Sequence, residues 1–234
     1  MLRRIVTMIA GAGFVALTFA AGAWAQEPAA APARAARREP AGPPRPPLFF
    51  REAWKQAPNG AEQAVTPEGI SGSNLELKLY GDGKNIQITG ADGSDSNPTH
   101  LWTGLCASNC AAALRDRENY VDLTGLAKIR WLTKVSGFHH VHPILKLADG
   151  TWLVGDHADG STVDWHENEF SISEVRWLRL DINKVLTKGN FVEKPDLSKV
   201  DEVGFTDLMP GSGHGAGGWS DVGFIEVYGK PVKR

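Results

Sequence analysis

Three histidines lie close together in the segment "GFHHVHPIL", at positions 139, 140 and 142. If this segment forms a strand, His140 and His142 point to one face of the sheet and His139 points to the other, because side chains alternate along a strand. Imidazole nitrogens are common ligands of zinc and related ions. The spacing therefore makes His140 and His142 candidate ligands for a divalent metal ion.

A second polar segment, "GDHADGSTVDWHENEF", supplies Asp156 and His157. The Asp-Gly pair of "ADGT", between the two segments, is typical of a tight β-hairpin, which would let Asp156 and His157 approach His140 and His142. A His–Asp pair suits general acid–base catalysis as well as metal binding, so Asp156 and His157 are candidate catalytic residues. The spacing matches no sharp signature such as His-Glu-x-x-His, and both interpretations stay open.

The stretch "MPGSGHGAGGWSD", residues 209–221, places five Gly, one His and one Trp between two predicted strands. A phosphate-binding loop would lead into a helix and carry Lys and Ser or Thr, whereas this loop leads into the strand "VGFIEVY". We expect a loop at one rim of the fold that presents His214 and Trp219 to a ligand, and His214 is a third catalytic candidate. The alternative is a mobile hairpin without a ligand.

Tryptophan faces are the second kind of binding group in this sequence. Sugars stack their C–H faces on indole rings, while neighbouring polar side chains bind the hydroxyl groups. Trp131, Trp152 and Trp177 lie within predicted strands, and we expect them in the core. The predicted ligand-binding set lies in predicted loops and comprises Trp165, Trp219, Asp164, His166 and Asp221.

The N-terminal residues 1–25 have the layout of a signal peptide. Arg3 and Arg4 precede an apolar run that ends in Ala-Trp-Ala, directly before Gln26. This pattern predicts a periplasmic or secreted protein, with a retained membrane anchor as the alternative. No later segment approaches the roughly 20 apolar residues that a membrane helix needs, so we expect no transmembrane segment after cleavage.

Residues 26–47 follow as a predicted tether. Half of the 14 Pro of the chain lie here, and the charged residues of this segment sum to +2. Such a composition cannot bury a core and is typical of a semi-extended spacer. A basic tether could also touch an anionic envelope surface.

Residues 48–234 are long enough for a single domain with a sizeable core. They carry 19 basic and 25 acidic residues, a net charge of −6, which argues against nucleic acid or an anionic membrane as the main partner. The two cysteines, Cys106 and Cys110, are expected to form a disulfide in an oxidising compartment. A zinc site or a redox pair are the alternatives.

The domain contains about ten short runs with two-residue alternation, separated by Gly, Asp, Asn and Pro turns and without crossover helices. This predicts an all-β, antiparallel sandwich or barrel, with a jelly roll favoured. The segment "PLFFREAWKQ" is expected to be a short helix or a docking segment, and Pro143 predicts a strand edge or a bulge. The predicted strands are Leu75–Tyr80, His100–Gly104, Ala111–Arg115, Lys128–Val135, Val141–Ala148, Thr151–Asp156, Asn168–Ile172, Val175–Ile182, Glu202–Leu208 and Val222–Tyr228.

The order "VDLTGLAKIRWLTKVSG", "ILKLADGTWLV", "VRWLRLDI", "LSKVDEVGF" and "VGFIEVYGK" resembles the galactose-binding-like jelly roll. In particular, it resembles carbohydrate-binding modules and the complex I intermediate-associated protein family, over residues 121–230. The ending "IEVYGKPV" also resembles a set of secreted bacterial proteins of unknown function. These resemblances imply a secreted β-sandwich, and the first implies binding of carbohydrate or a related small polar ligand.

Three functions therefore compete. The favoured one is a secreted or periplasmic module that recognises carbohydrate or a related polar ligand through loops at the rim of the sandwich. The second is a small periplasmic hydrolase or lyase acting on a glycan through the His/Asp cluster, with or without a divalent metal ion as cofactor. The third is an envelope assembly protein, which would show neither a His/Asp pocket nor exposed Trp faces.

Overall fold

The computed structural model describes residues 45–56, 60–90, 94–211 and 213–234. The predicted signal peptide and residues 26–44 of the predicted tether lie outside this range, as does Ser212. Within the described residues, no helix has the length and apolar character needed to cross a membrane.

Nearly all of the regular structure is strand, with three short 3-10 turns at Pro67–Gly69, Gly83–Asn85 and Ile172–Glu174. The strands of the described residues are β1 Leu48–Glu52, β2 Gln63–Ala64, β3 Leu75–Gly81, β4 Gln87–Thr89, β5 His100–Trp102, β6 Cys110–Asp116, β7 Asn119–Asp122, β8 Lys128–Ser136, β9 His140–Leu147, β10 Trp152–Gly155, β11 His166–Ser171, β12 Trp177–Asp181, β13 Leu186–Val192, β14 Val200–Leu208, β15 Trp219–Tyr228 and β16 Lys230–Lys233.

These strands form two antiparallel sheets. The front sheet has the order β11-β8-β15-β5-β4-β2, and β1 pairs with the end of β15 that β5 leaves free. The back sheet has the order β13-β12-β10-β9-β14-β6-β3, with β7 paired to one end of β14 and β16 paired to β7. Most neighbours are far apart in the chain, as jelly-roll connections require. The predicted all-β antiparallel jelly-roll sandwich is confirmed.

All ten predicted strands are present, as β3, β5, β6, β8 to β12, β14 and β15. The predicted hairpin at "ADGT" joins β9 to β10, and Gly150 takes the positive φ that its turn requires. Of the two alternatives for "PLFFREAWKQ", the helix is wrong, because this segment holds the strand β1, which docks along the end of β15.

The edge position predicted from Pro143 is also wrong. β9 is a central strand, between β10 and β14, and Pro143 lies opposite Phe205 in regular register. The pairing of β9 with β10 ends at Ile144, one residue before the proline. The carbonyl of Gly155, just beyond that point, instead bonds the His142 ring through Nδ1, 3.0 Å away. A central proline is tolerated here because the ladder to β10 has already stopped.

The core lies between the two sheets and follows the alternation of their strands. On β8, Ile129, Trp131, Thr133 and Val135 are buried, and the residues between them are half-buried or more exposed. Trp177 lies in the same core, and Trp152 is buried in a second apolar cluster with Ile144 and Val154, so the predicted burial of all three strand tryptophans is confirmed.

A buried carboxylate fixes the segment that follows β1. Glu52 has no exposed surface, and its two oxygens accept bonds of 2.7–2.9 Å from the backbone nitrogens of Trp54, Ser71 and Gly72 and from the Ser71 hydroxyl. These bonds tie the chain after β1 to the turn that leads into β3.

We predict that Glu52→Gln lowers the free energy of unfolding by about 2 kcal/mol, because an amide nitrogen would face a buried N–H donor. Urea unfolding of the full chain measures this change. The matched control is Glu118→Gln on an exposed side chain, which should change stability by less than about 0.5 kcal/mol. Equal effects of the two substitutions would contradict the role of the Glu52 network.

Candidate functional site

An open groove lies on the outer face of the front sheet, at β5 and the start of β15. Leu101 is fully buried in the core, so His100 and Trp102 on either side of it point outward. Trp102 pairs directly with Asp221 across the two strands. The groove has a volume of about 330 Å³ and is lined by Glu62, Thr89, Asn97, His100, Trp102, Trp219 and Asp221.

Two indole rings of this groove are accessible to a ligand. Trp219 opens β15 with 40% of its surface exposed, and Trp102 is half-buried. Gly104 makes room for Trp102, since a Cβ at this position would lie 2.2 Å from the indole ring. Trp165 lies at the same face, with its ring centroid 5.0 Å from that of His100 in an edge-on arrangement.

The polar floor of the groove is a carboxyl group and an imidazole. Asp221 is 6% exposed, and its Oδ1 has no hydrogen-bond partner among the described residues. His100 Nε2 lies 3.6 Å from this oxygen, while His100 Nδ1 lies 2.7 Å from the Pro98 carbonyl oxygen. Burial raises the pKa of Asp221 to about 7, although Lys134 acts in the opposite direction. Burial likewise lowers the pKa of His100.

Near neutral pH Asp221 is therefore close to a change of protonation state, whereas the lowered pKa of His100 favours its uncharged ring. An uncharged Asp221 can donate as well as accept a hydrogen bond, as a sugar hydroxyl also does. An unpaired buried oxygen costs about 1–3 kcal/mol. A ligand hydroxyl in the groove would remove that cost.

A second group of titratable residues lies where the loop between β14 and β15 meets the back sheet. His139 Nδ1 is 2.8 Å from Asp207 Oδ1, and His139 Nε2 is 3.0 Å from the Gly215 carbonyl oxygen. The hydrogen bond to Asp207 raises the pKa of His139. The ring of His214 packs edge-on against that of His139, at 5.0 Å between centroids, and burial lowers the pKa of His214.

A third group, centred on Asp159, has a structural role. Its carboxylate accepts bonds from Trp131 Nε1 at 2.7 Å, Thr133 Oγ1 at 3.0 Å and Asn168 Nδ2 at 2.6 Å, and it lies 3.2 Å from His157 Nε2. Burial acts to raise the pKa of Asp159, but these bonds outweigh it and hold the pKa below its usual value. The group fixes the central core tryptophan.

The predicted catalytic residues meet separate partners. Asp156 accepts bonds from the backbone and side chain of Arg176, and His157 stacks on Phe170 at 3.8 Å beside Asp159. His214 lies beside His139. A catalytic role for Asp156, His157 and His214 stays a prediction.

The predicted metal ligands do approach Asp156, as the hairpin argument expected. His140, His142 and Asp156 line a cleft of about 270 Å³ on the back sheet, and the two imidazole centroids are 6.1 Å apart. Burial lowers the pKa of His142. Metal binding at His140 and His142 stays a prediction.

Some of the predicted ligand-binding residues lie at the groove, and the others lie elsewhere on the surface of the protein. Trp219 and Asp221 line the groove, and Trp165 packs on its His100. His166 pairs with Thr133 at the far edge of the sheet, and Asp164 is exposed. The predicted disulfide between Cys106 and Cys110 is present.

The loop of residues 209–221 is not a hairpin. β14 belongs to the back sheet and β15 to the front sheet, so the loop passes from one sheet to the other. Gly218 packs against His139, where a Cβ would lie 2.5 Å from the imidazole ring. Gly218 therefore allows the loop to pack closely on His139.

Sequence reasoning missed Trp102, His100 and Asp207 as site residues. A signal for the first two was present, since both alternate outward along the predicted strand "HLWTG". Their partner Asp221 comes from a strand far along the chain, and that pairing is not readable from local pattern.

A larger apolar cleft of about 440 Å³ lies beside β12 and β13, lined in part by Val175, Trp177, Phe191 and Leu197. Trp177 is 2% exposed, so its indole faces are packed and cannot take a stacked ligand. The groove on the front sheet is smaller, but it combines open indole faces with a carboxyl oxygen that has no hydrogen-bond partner in the described part of the chain. It is the better candidate site.

No protein-family model matches the chain, and no curated protein matches it. Among solved structures, it is similar to a family 11 carbohydrate-binding module from Clostridium thermocellum in complex with a β-1,3-1,4-mixed-linked tetrasaccharide. The identity is 15%, the match covers 74% of this chain and 98% of that one, and the TM-score is 0.40. It is also similar to TmCBM61 in complex with β-1,4-galactotriose, at 11% identity over 66% and 88% of the two chains, with a TM-score of 0.37.

We predict that Asp221→Asn stabilises the protein at pH 8 by about 1–3 kcal/mol and by less at pH 5. The folded-state pKa of Asp221 is about 7, whereas the unfolded chain ionises near pH 4, so folding takes up a proton between these values. The stability of the wild type therefore falls as the pH rises from about 4 to about 7, and the amide removes this loss.

Urea unfolding at both pH values measures the difference. Asp164→Asn, at an exposed position, should change stability by less than about 0.5 kcal/mol at either pH. A stabilisation by Asp221→Asn that grows towards acid pH would contradict the assigned protonation.

Proposed function

We propose that this protein binds carbohydrate in the groove on the outer face of the front sheet. One observation carries the proposal: two accessible indole faces, Trp102 and Trp219, lie at the same groove as the buried carboxyl group of Asp221, whose Oδ1 has no hydrogen-bond partner among the described residues. Stacking on indole and hydrogen bonding to a few convergent polar groups are the two interactions that a sugar ring requires.

The polar lining has the right chemistry for hydroxyl groups. Asp221 and His100 form the floor, and Thr89 and Asn97 add a hydroxyl and an amide that can donate and accept. A volume of about 330 Å³ is at the lower end of the roughly 300–1,000 Å³ typical of small-molecule sites, which fits a short stretch of a glycan. The open shape of a sheet face leaves room for the chain to continue on either side.

The charge of the lining favours a neutral glycan. Glu62 and Asp221 are acidic, and the described lining residues include no Lys or Arg. Among the described residues that line the groove, no cation would face an anionic sugar. Lys134 lies near Asp221 and offsets part of this charge.

We predict that Trp219→Ala and Trp102→Ala each weaken glycan binding by about tenfold or more, because truncating a stacked aromatic side chain typically costs more than 1 kcal/mol. A panel of soluble neutral polysaccharides, tested by affinity electrophoresis and followed by calorimetry on the best ligand, measures this loss.

Phe191→Ala is the matched control, since Phe191 is an exposed aromatic side chain on β13 of the other sheet. Its removal should leave binding unchanged. Binding that survives both tryptophan substitutions, or that is lost in Phe191→Ala, would overturn the proposed site. The absence of any glycan binding by the wild type would favour the envelope assembly alternative.

We also propose that the domain acts outside the cytoplasm. The signal-peptide layout of residues 1–25 and the disulfide between Cys106 and Cys110 support this location. The mass of the protein recovered from a bacterial periplasm should correspond to a chain that starts at Gln26. Recovery of the uncleaved chain from the cytoplasm alone would contradict export.

A further inference from the structure

We infer that His139, Asp207 and His214 form a binding site for a divalent transition-metal ion of the zinc type. The three residues come from separate parts of the fold: the turn before β9, the end of β14 and the loop that follows β14. One potential ligand atom from each lies within 4.8 Å of the others, and within the described residues this is the one such group of His, Cys, Asp or Glu.

The atoms that would not bind the ion are already held by other groups. His139 Nδ1 faces Asp207 Oδ1, while the second nitrogen, Nε2, lies 3.0 Å from the Gly215 carbonyl oxygen. The second oxygen of Asp207 accepts a hydrogen bond from the Thr103 hydroxyl. Metal-binding histidines and carboxylates usually have such outer partners, which fix the orientation of the ligand.

His214, the third proposed ligand, supplies an independent observation in favour of a bound ion. Both ring nitrogens of His214 are buried and have no hydrogen-bond partner among the described residues. Buried polar atoms are nearly always paired, so an unpaired imidazole beside a buried carboxylate needs an explanation. A bound cation provides one, because it gives a ring nitrogen of His214 a partner and neutralises Asp207, which has no exposed surface.

The donor set selects the class of ion. Two imidazoles and one carboxylate suit zinc and its neighbours in the first transition row, whereas magnesium and calcium prefer sites built from oxygen. Three protein ligands leave one position of a tetrahedral zinc ion for water or another ligand. This site differs from the one predicted at His140 and His142, whose side chains line the cleft on the back sheet.

A competing account uses the same atoms without a metal. A protonated His139 would donate one N–H to Asp207 and the other to the Gly215 carbonyl oxygen, so that hydrogen bonds and opposite charges hold the pair without an ion. That account leaves His214 without a role, because neither of its ring nitrogens has a hydrogen-bond partner among the described residues. The two accounts therefore differ most clearly at His214.

The test is titration of the metal-stripped full chain with Zn²⁺ alone, by calorimetry and by thermal unfolding. We expect one equivalent to bind, and a rise in Tm of about 5–10 °C at a free zinc concentration near 100 times Kd. His214→Phe keeps the ring contact with His139 but has no nitrogen. It should bind zinc at least tenfold more weakly and lose the rise in Tm, while its metal-free Tm stays close to that of the wild type.

His140→Ala is the second variant, because it removes a ligand of the other metal site, the one that the sequence predicts at His140 and His142. A zinc ion held by His139, Asp207 and His214 stays bound in this variant. Three outcomes would overturn the inference: no zinc binding by the wild type, undiminished binding by His214→Phe, or loss of binding in His140→Ala and not in His214→Phe. The titration contains no glycan, so a negative result would rule out the zinc site without bearing on the proposed carbohydrate site.

Discussion

The alternation of side chains along β15 is the constraint on which the rest of the structure depends. This strand pairs with β8 along one edge and shares the other edge between β5 and β1, so it is held on both sides. Trp219 and Asp221 point outward into the groove, whereas Ser220 and Val222 are fully buried. A slip of one residue in register would exchange these two sets and destroy the groove and the core together.

The same strand links the two candidate sites. The backbone nitrogen of Ser220 donates to the Thr103 hydroxyl at 2.8 Å, and that hydroxyl in turn donates to Asp207. Trp219 and Asp221 therefore line the groove on one face of β15. Ser220, between them, bonds on the other face to Thr103, which in turn bonds to Asp207. The loop that carries His214 ends at Trp219, so anything that fixes the loop also fixes one wall of the groove.

The fold was largely predictable from the sequence, because two-residue alternation is a local property. The runs "KIRWLTKV" and "VGFIEVY" predict strands without knowledge of their partners. Two strands carry too little apolar pattern to be recognised. β2 has only two residues, and no residue of β13 is buried. β1 could not be recognised as a strand because its short run "LFFRE" lacks clear alternation, and its burial depends on β15.

The sites were only half predictable, because they are built from pairings between distant strands. Trp219 and Asp221 could be selected for their residue types, but the neighbouring Trp102 and His100 belong to a strand that nothing local connects to them. Likewise, His139 could be predicted to point away from His140 and His142, but not towards Asp207. Residue type and spacing identified candidate chemistry, and tertiary pairing decided which candidates meet.

Carbohydrate binding in the groove is the central claim, and the indole N–H signals of the full chain in a ¹⁵N-correlated NMR spectrum test it most directly. On titration with a neutral oligosaccharide, the account predicts that the signals of Trp102 and Trp219 shift while those of the buried Trp131 and Trp177 stay in place. Shifts centred on Trp177, beside the apolar cleft, would contradict the assigned groove, as would an unchanged spectrum across the whole panel of neutral glycans.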